Sequence, residues 1–260
     1  MRITLIGSGN VATHFGAALK NAGHHIVQVY SPTYPNAALL AYHIGAEAID
    51  RLEDIDAETD MFIISVKDDA IEGLAQQLSV YQKLTVHTSG ATDLKAISQY
   101  NKAAGVIYPL QTFSKTREID FRKVPLCIEG SDEHVHTGLN LLAHTLSLSV
   151  FDVNSAQRKI LHLAAVFACN FPNNLYAIAQ GLLAKHDLDF NLLRPLILET
   201  ALKVQHNLPA EVQTGPAVRN DEKTMEAHLG LLQYEDGLQA LYQTLSQSII
   251  KLDKAYKPDR

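Results

Sequence analysis

Ile3-Thr4-Leu5-Ile6-Gly7-Ser8-Gly9-Asn10-Val11-Ala12 opens the 260-residue chain with an apolar, β-branched run that passes directly into a G-x-G-x-x-A turn. The residues from Ala12 to Ala22 then carry a helical pattern, so the turn lies where a strand hands over to a helix. In that setting each small residue has a physical task. The first glycine permits the tight turn, the second lets a pyrophosphate approach the backbone, and Ala12 at the third position keeps the helix close to the sheet. The helix N-terminus adds free N–H groups and the positive end of its dipole. Gly7, Ser8, Gly9, Asn10 and Val11 are therefore the expected dinucleotide-binding residues. The alternative is a turn retained in a domain that has lost its ligand.

Working outward, short β-rich runs alternate with helical patterns as far as Asp152: Ile26 to Tyr30, Met61 to Val66, Leu84 to His87, Gly105 to Tyr108, Pro125 to Glu129 and Leu148 to Val153. This alternation predicts an α/β domain over residues 1–153, a Rossmann-like parallel sheet with helices on both faces. After Asn154 the strand signals stop. Helical patterns over Ala156 to Lys185, Phe190 to His206 and Asp221 to Tyr256 predict an all-helical domain over residues 154–260. Pro172 predicts a kink or break in the first of these, Leu208-Pro209 ends the second, and Asp221 is a candidate N-cap with Thr224 three residues on.

The composition, 47% hydrophobic and 19% charged, is that of a globular chain with enough apolar material for one large or two small cores. A net charge of −6 gives no basic excess to attract nucleic acid or anionic membrane. No apolar stretch approaches the roughly 20 residues of a membrane helix, and no signal-peptide pattern is seen, so a cytoplasmic location is expected. The charge is unevenly placed. No Asp or Glu precedes Glu47, whereas ten fall between Glu47 and Glu72, so an anionic ligand is expected in the acid-free start. Cys127 and Cys169 are isolated and expected to be buried apolar residues, and the histidines lack partners at metal-ligand spacing.

The acid that commonly receives a ribose 2′-hydroxyl would fall at the end of the second strand, where the chain reads Tyr30-Ser31-Pro32-Thr33. Ser31 and Thr33 can donate to a 2′-phosphate that an acid would repel, which favours NADP over NAD without excluding NAD. An ordinary turn is the alternative reading of this segment.

Several further runs carry a family resemblance: Ile64-Ser65-Val66-Lys67-Asp68-Asp69-Ala70-Ile71, His87-Thr88-Ser89-Gly90, Tyr108-Pro109-Leu110-Gln111-Thr112-Phe113, Asn170-Phe171-Pro172-Asn173-Asn174-Leu175 and Thr214-Gly215-Pro216-Ala217-Val218-Arg219-Asn220-Asp221. Over nearly its whole length the chain resembles an uncharacterised family that pairs a Rossmann-like NAD(P)-binding domain with a helical domain of unknown function. That family is similar to pyrroline-5-carboxylate reductases and to the 6-phosphogluconate and β-hydroxyacid dehydrogenases. The resemblance implies that the backbone of Val66, Lys67 and Asp68 lines the nicotinamide side of the cofactor, a solvated charge beside Asp68 and Asp69 being the alternative for the Lys67 side chain, and that the helical domain builds a homodimer. The chain departs from relatives at Tyr108-Pro109, where they often carry His-Pro, and at Pro32, where they often carry Arg.

Residues that follow strands in an open parallel sheet lie at the ligand-binding edge. His87, Thr88 and Ser89 are therefore candidates to touch cofactor or substrate, and Tyr108 and Gln111 to touch substrate; local turn bonding is the alternative for Thr88 and Ser89. His162, Asn170 and Asn174 interrupt an otherwise apolar helical pattern. His162 and Asn170 are about 12 Å apart along such a helix, able to line one elongated pocket but not to share one atom. The β-hydroxyacid dehydrogenases place a general-acid Lys on this helix. No Lys stands on its apolar face here, which makes His162 the candidate acid, with packing as the alternative. Arg219 could clamp a carboxylate or phosphate, or form a surface ion pair with Asp221 or Glu222. These residues together suggest an NADP-dependent oxidoreductase that passes hydride to a small carbonyl or imine between the two domains. The rival is a dinucleotide-binding sensor or interaction protein without turnover.

Overall fold

The computed structural model describes residues 1–235 and 237–256. The glycine turn follows β1 (Arg2–Ile6) and leads into α1 (Asn10–Asn21); β2 (His25–Tyr30), α2 (Tyr34–Ile44), β3 (Glu47–Ile49), β4 (Met61–Ile64), α3 (Asp68–Leu78), β5 (Leu84–His87), α4 (Lys95–Ser98), β6 (Ala104–Pro109), β7 (Leu126–Gly130), α5 (Glu133–Leu146) and β8 (Val150–Asp152) complete the α/β part. Eight strands form one sheet in the order β3-β2-β1-β4-β5-β6-β7-β8. Neighbours run parallel except β6 and β7, which pair antiparallel from Gly105–Gly130 to Pro109–Leu126, so the expected parallel sheet carries one reversal. The crossover from β6 contains no helix longer than one turn, Phe121–Lys123, and a connection of that kind returns the chain in the opposite direction. β3 was not among the expected strands. It has three residues, too few to show a period.

The strands are buried on both faces because alternate residues serve two cores. Ile3, Leu5, Met61, Ile63 and Val86 pack with Phe15 and Leu19 of α1, Leu40 of α2 and Leu139 and Leu142 of α5. Ile6, Phe62 and Ile64 face the other way, onto Ile71, Ala75 and Leu78 of α3 and Ile97 of α4.

Among the described residues helices alone follow: α6 (Ser155–Ala165), a π-helical turn (Val166–Asn170), α7 (Phe171–Ala184), α8 (Arg194–His206), α9 (Glu222–Leu231) and α10 (Leu238–Tyr256). α6 starts on a capping box, the Asn154 side chain accepting from the Gln157 backbone and the Gln157 side chain from that of Asn154. The expected break at Pro172 takes the form of the π turn before it. Proline offers no N–H to the carbonyl four residues back and its ring crowds that carbonyl, so the preceding turn widens. The single helix expected over Asp221 to Tyr256 is in fact two, because Gly237 turns the chain at φ +76 before α10. Asp221 caps α9 through Thr224, as its spacing suggests. Cys127 is buried but Cys169, on the π turn, is exposed, contrary to expectation. Contacts divide the chain into two compact units, Met1–Asn174 and Leu175–Arg260, so α6 belongs with the sheet.

Candidate dinucleotide site

The strand order reverses between β1 and β4: from β1 the chain winds outward to β2 and β3, then returns to β4 on the other side. At such a switch point the two following loops part and leave a crevice at the carboxyl edge. Backbone bonds carry the ladder past the strand ends and fix the crevice walls. Gly7 donates to the Tyr30 carbonyl at 2.8 Å, Ser65 to Ile6 at 2.8 Å and Thr88 to Ile64 at 3.1 Å.

Gly7 has φ +118, and a β-carbon there would stand 2.3 Å from the Ser65 carbonyl oxygen; only glycine fits. A β-carbon on Gly9 would meet nothing within 4 Å, so its backbone faces open space where a pyrophosphate can come close. Gly9 is also the N-cap of α1. No side chain caps this helix and no acid lies in its first turn, which leaves its N–H groups and dipole available to an anion. The residues thus fit a dinucleotide.

The cleft has a volume of about 520 Å³ and is walled by Gly7 to Val11, by Ser31 and Pro32, by Ser65 to Asp68, by Thr88 to Gly90, and by Tyr108, Pro109, Gln111 and His162. Most of the predicted cofactor residues meet here: Gly7, Ser8, Gly9, Asn10, Val11, Ser31, Val66, Lys67, Asp68 and Thr88, together with Ser89. Two stand apart from the wall. Thr33 is exposed at the N-cap of α2, its backbone N–H donating to the Ser31 hydroxyl at 3.4 Å. His87 is fully buried beneath the turn. Its Nδ1 accepts from the Ser89 backbone at 3.1 Å, while Nε2 meets no partner among the described residues. Burial above all, with the nearby Arg158 cation, pushes its pKa down to about 3, so the ring is neutral.

The turn after β5 is internally bonded. The Thr88 hydroxyl donates to Ser65 Oγ at 3.1 Å, and Ser89 Oγ accepts from the backbones of Ala91 and Thr92 at 3.1 and 2.9 Å. At the end of β2, burial raises the Tyr30 phenol and the carboxylates of Glu53 and Asp50 raise it further.

A second chamber of about 600 Å³ shares Tyr108, Gln111 and His162 with the first and extends along α6 past Leu161, Ala164, Ala165 and Ala168 to Cys169 and Asn170. His162 and Asn170 thus line one elongated cavity. Asn174 lies a turn further on and lines neither chamber. Between the chambers the Tyr108 hydroxyl stands 3.2 Å from His162 Nδ1. Arg219 belongs to the second unit, where it is exposed on the turn before the Asp221 cap.

The sequence reading passed over Arg158, whose side chain is fully buried on α6. It pairs with Glu129 at 2.5 Å and donates to the Thr92 carbonyl at 2.7 Å, tying the helix that carries His162 to β7 and to the turn after β5. Its spacing offered a signal, since Arg158 lies four residues before His162 and so on the same side of the helix.

Residues 2–89 match the family model for the NADP oxidoreductase, coenzyme F420-dependent, and residues 124–249 match that for a domain of unknown function, DUF2520. No curated protein matches the sequence. Among solved structures, the candidate NADP oxidoreductase BF3122 from Bacteroides fragilis is 43% identical, with 96% of this chain and 98% of that one aligned and a TM-score of 0.92. An imine reductase from Myxococcus stipitatus in complex with NADP+ is 17% identical over 100% of this chain and 95% of that one, TM-score 0.62. The 1-pyrroline-5-carboxylate reductase of Streptococcus pyogenes is 15% identical over 98% of each chain, TM-score 0.60. The likeness to the two reductases is one of fold. With the BF3122 match spanning nearly both chains and the two family models falling on its two halves, the protein belongs to the family that joins an NADP-oxidoreductase domain to the DUF2520 domain.

Proposed function

We propose that the protein is an NADP-dependent oxidoreductase that reduces a small carbonyl or imine. The observation that carries this reading is a single cleft in which the uncapped, acid-free N-terminus of α1 and the Gly7–Ser65 approach stand opposite the Tyr108–His162 pair. Gly7 to Val11 would hold the pyrophosphate, Ser31 and Thr33 the 2′-phosphate, and Val66 to Asp68 with Thr88 the nicotinamide half; His87 would support that turn from beneath. When bound, the dinucleotide supplies the hydride. The protein's share is to orient the substrate through Ser89 and Asn170, with Asn174 further along the chain, and to deliver a proton from His162. On this reading residues 1–153 bind the dinucleotide and residues 154–260 serve the substrate and a homodimer, in the cytoplasm. The dimer has support within the second unit, where α8, α9 and α10 bury no residue and Leu192, Leu196, Leu202 and Leu252 stay exposed. Among the described residues no helix is long and apolar enough to cross a membrane.

The test is calorimetric titration with NADPH and with NADH, followed by absorbance at the nicotinamide band across a panel of imines and keto acids. NADPH binding tighter than NADH, with substrate-dependent oxidation, is expected. Binding without turnover across the panel would favour the sensor, and binding of neither cofactor would overturn both readings.

A further inference from the structure

We propose that Tyr108 is a positioning residue for His162: its hydroxyl donates to Nδ1, which places the ring's own proton on Nε2. The inference rests on the reductase reading for the role of His162, but the contact itself rests on three features of the fold.

The first is placement. Tyr108 sits near the carboxyl end of β6 and His162 on α6, 54 residues apart in sequence, with Oη and Nδ1 at 3.2 Å and the rings edge to face at 6.0 Å. Both side chains border the cleft of the glycine turn and the chamber along α6, so the pair stands where the two cavities join.

The second is chemistry. Tyr108 is only 9% exposed, and burial, with Cys127 beside it, raises the phenol above its ordinary range. A phenol held protonated has a hydrogen to offer to His162 Nδ1, the ring nitrogen 3.2 Å away. A neutral imidazole whose Nδ1 accepts must carry its hydrogen on Nε2, so the partner of one nitrogen decides the state of the other.

The third is the space left for the pair. A β-carbon on Gly90 would lie 2.8 Å from His162 Nδ1, 2.9 Å from its Cγ and 2.8 Å from Tyr108 Cζ. The turn after β5 therefore presses backbone, without a side chain, against the Oη–Nδ1 contact. Gly90 is the third wall of the pair, and alanine there would part the rings while leaving both functional groups in the protein.

The consequence for the reaction is directional. With Nδ1 occupied, Nε2–H is the group left to meet a substrate nitrogen or oxygen as hydride reaches the neighbouring carbon. Proton transfer from Nε2 leaves the ring as an anion unless a second proton arrives. The ring must therefore start as imidazolium, with Tyr108 turned to accept from Nδ1–H, and it ends neutral with its hydrogen on Nδ1; exchange of that hydrogen with solvent and uptake of another at Nε2 then return the ring to the Nε2–H form, with Tyr108 donating. A hydroxyl can serve both states because it donates and accepts, which a phenylalanine cannot do.

Two measurements on the full-length protein test this separately from the reductase reading. In protein labelled with ¹⁵N in the histidine rings, the His162 signals are assigned by their loss in His162→Gln. At a pH where the ring is neutral, the unmodified protein should show an unprotonated, hydrogen-bonded Nδ1 and a protonated Nε2. Tyr108→Phe and Gly90→Ala should move the Nδ1 signal toward that of an unbonded nitrogen. A protonated Nδ1 in the unmodified protein, or a signal unmoved in both variants, would overturn the proposal. The second measurement uses NADPH and the cyclic imine 2-methyl-1-pyrroline as the probe. Tyr108→Phe should lower kcat about three- to tenfold, the worth of one net hydrogen bond, with little change in KM. In a His162→Ala background the same change should have no further effect, and multiplying losses would overturn the proposal. If the unmodified protein does not bind NADPH or reduce the probe, the reductase reading loses its support, while the ring signals still decide whether Tyr108 governs His162.

Discussion

Glu129→Ala should be among the most damaging single changes outside the glycine turn. The Arg158 guanidinium is fully buried and sits 2.5 Å from Glu129, whose own side chain is 17% exposed. Glu129 also accepts from the Ser155 backbone at 3.0 Å and from the Ser155 hydroxyl at 2.7 Å, so one carboxylate satisfies three donors at the start of α6. Removing it strands a buried cation. Breaking such a pair from one side costs about 3–5 kcal/mol, because the remaining charge keeps its desolvation without its partner. In a unit of this size each kcal/mol lowers the melting temperature by about 2–4 °C, which gives a fall of about 6–20 °C. Calorimetric or far-ultraviolet melting at fixed protein concentration reads it directly. Replacing both residues, Glu129→Leu with Arg158→Leu, should recover part of the loss, since no charge is then left alone. A fall of less than about 2 °C for Glu129→Ala, or strictly additive losses in the double variant, would show that the ion pair does not anchor α6.

Three other outcomes follow from the same geometry. Gly7→Ala forces a β-carbon against the Ser65 carbonyl at φ +118; backbone strain alone is worth about 1–3 kcal/mol, and titration should show NADPH binding at least about tenfold weaker, whereas an unchanged Kd would count against the glycine-turn site. Pro32→Arg sets a guanidinium beside Ser31, and one charge-assisted bond of about 1.5–3 kcal/mol should raise the preference for NADPH over NADH by about 10- to 150-fold; an equal change for both cofactors would place the 2′-position elsewhere. His87 titrates near 3 in the folded chain and near 6.5 when unfolded, so above pH 6.5 it contributes nothing to pH dependence. Between those values the unfolded chain takes up a proton that the folded one refuses, and stability falls by up to about 1.4 kcal/mol per pH unit on acidification. His87→Met should flatten that acid limb of the melting curve, and an unchanged slope would refute the assignment.

What the sequence disclosed and what it withheld divide along the range of the interactions. The glycine turn is legible because its cause is local: Ile3 to Ile6 form a strand, Gly7 turns the chain, and a helix follows at once. The alternation of strands and helices then placed Val66 and Thr88 at the same edge. The antiparallel pairing of β6 with β7 was not legible, since each strand has the composition of a buried strand whichever way it runs. Asp221 to Tyr256 was read as one helix because apolar spacing persists across Gly237, whose positive φ is set by the turn itself. Cys169 was read as buried from its apolar neighbours, yet it lies on the π turn that widens the helix ahead of Pro172.

Side-chain partnerships resist reading for a different reason. Arg158 stands on a polar first turn of α6, flanked by Gln157 and Lys159. Only the arrival of Glu129 from β7 and the Thr92 carbonyl from the β5 turn makes burial of a cation tolerable. The same holds for His162, which sequence alone leaves suspended between acid and packing residue. Its neighbours on the helix cannot choose between those roles, because the group that touches Nδ1 comes from β6 and the backbone that confines it comes from Gly90. A histidine merely packed in the core would have its polar nitrogens enclosed, as His87 does. His162 is half-buried, with one nitrogen held by a phenol and a ring that borders two open chambers, so it is reachable from the cleft where His87 is not.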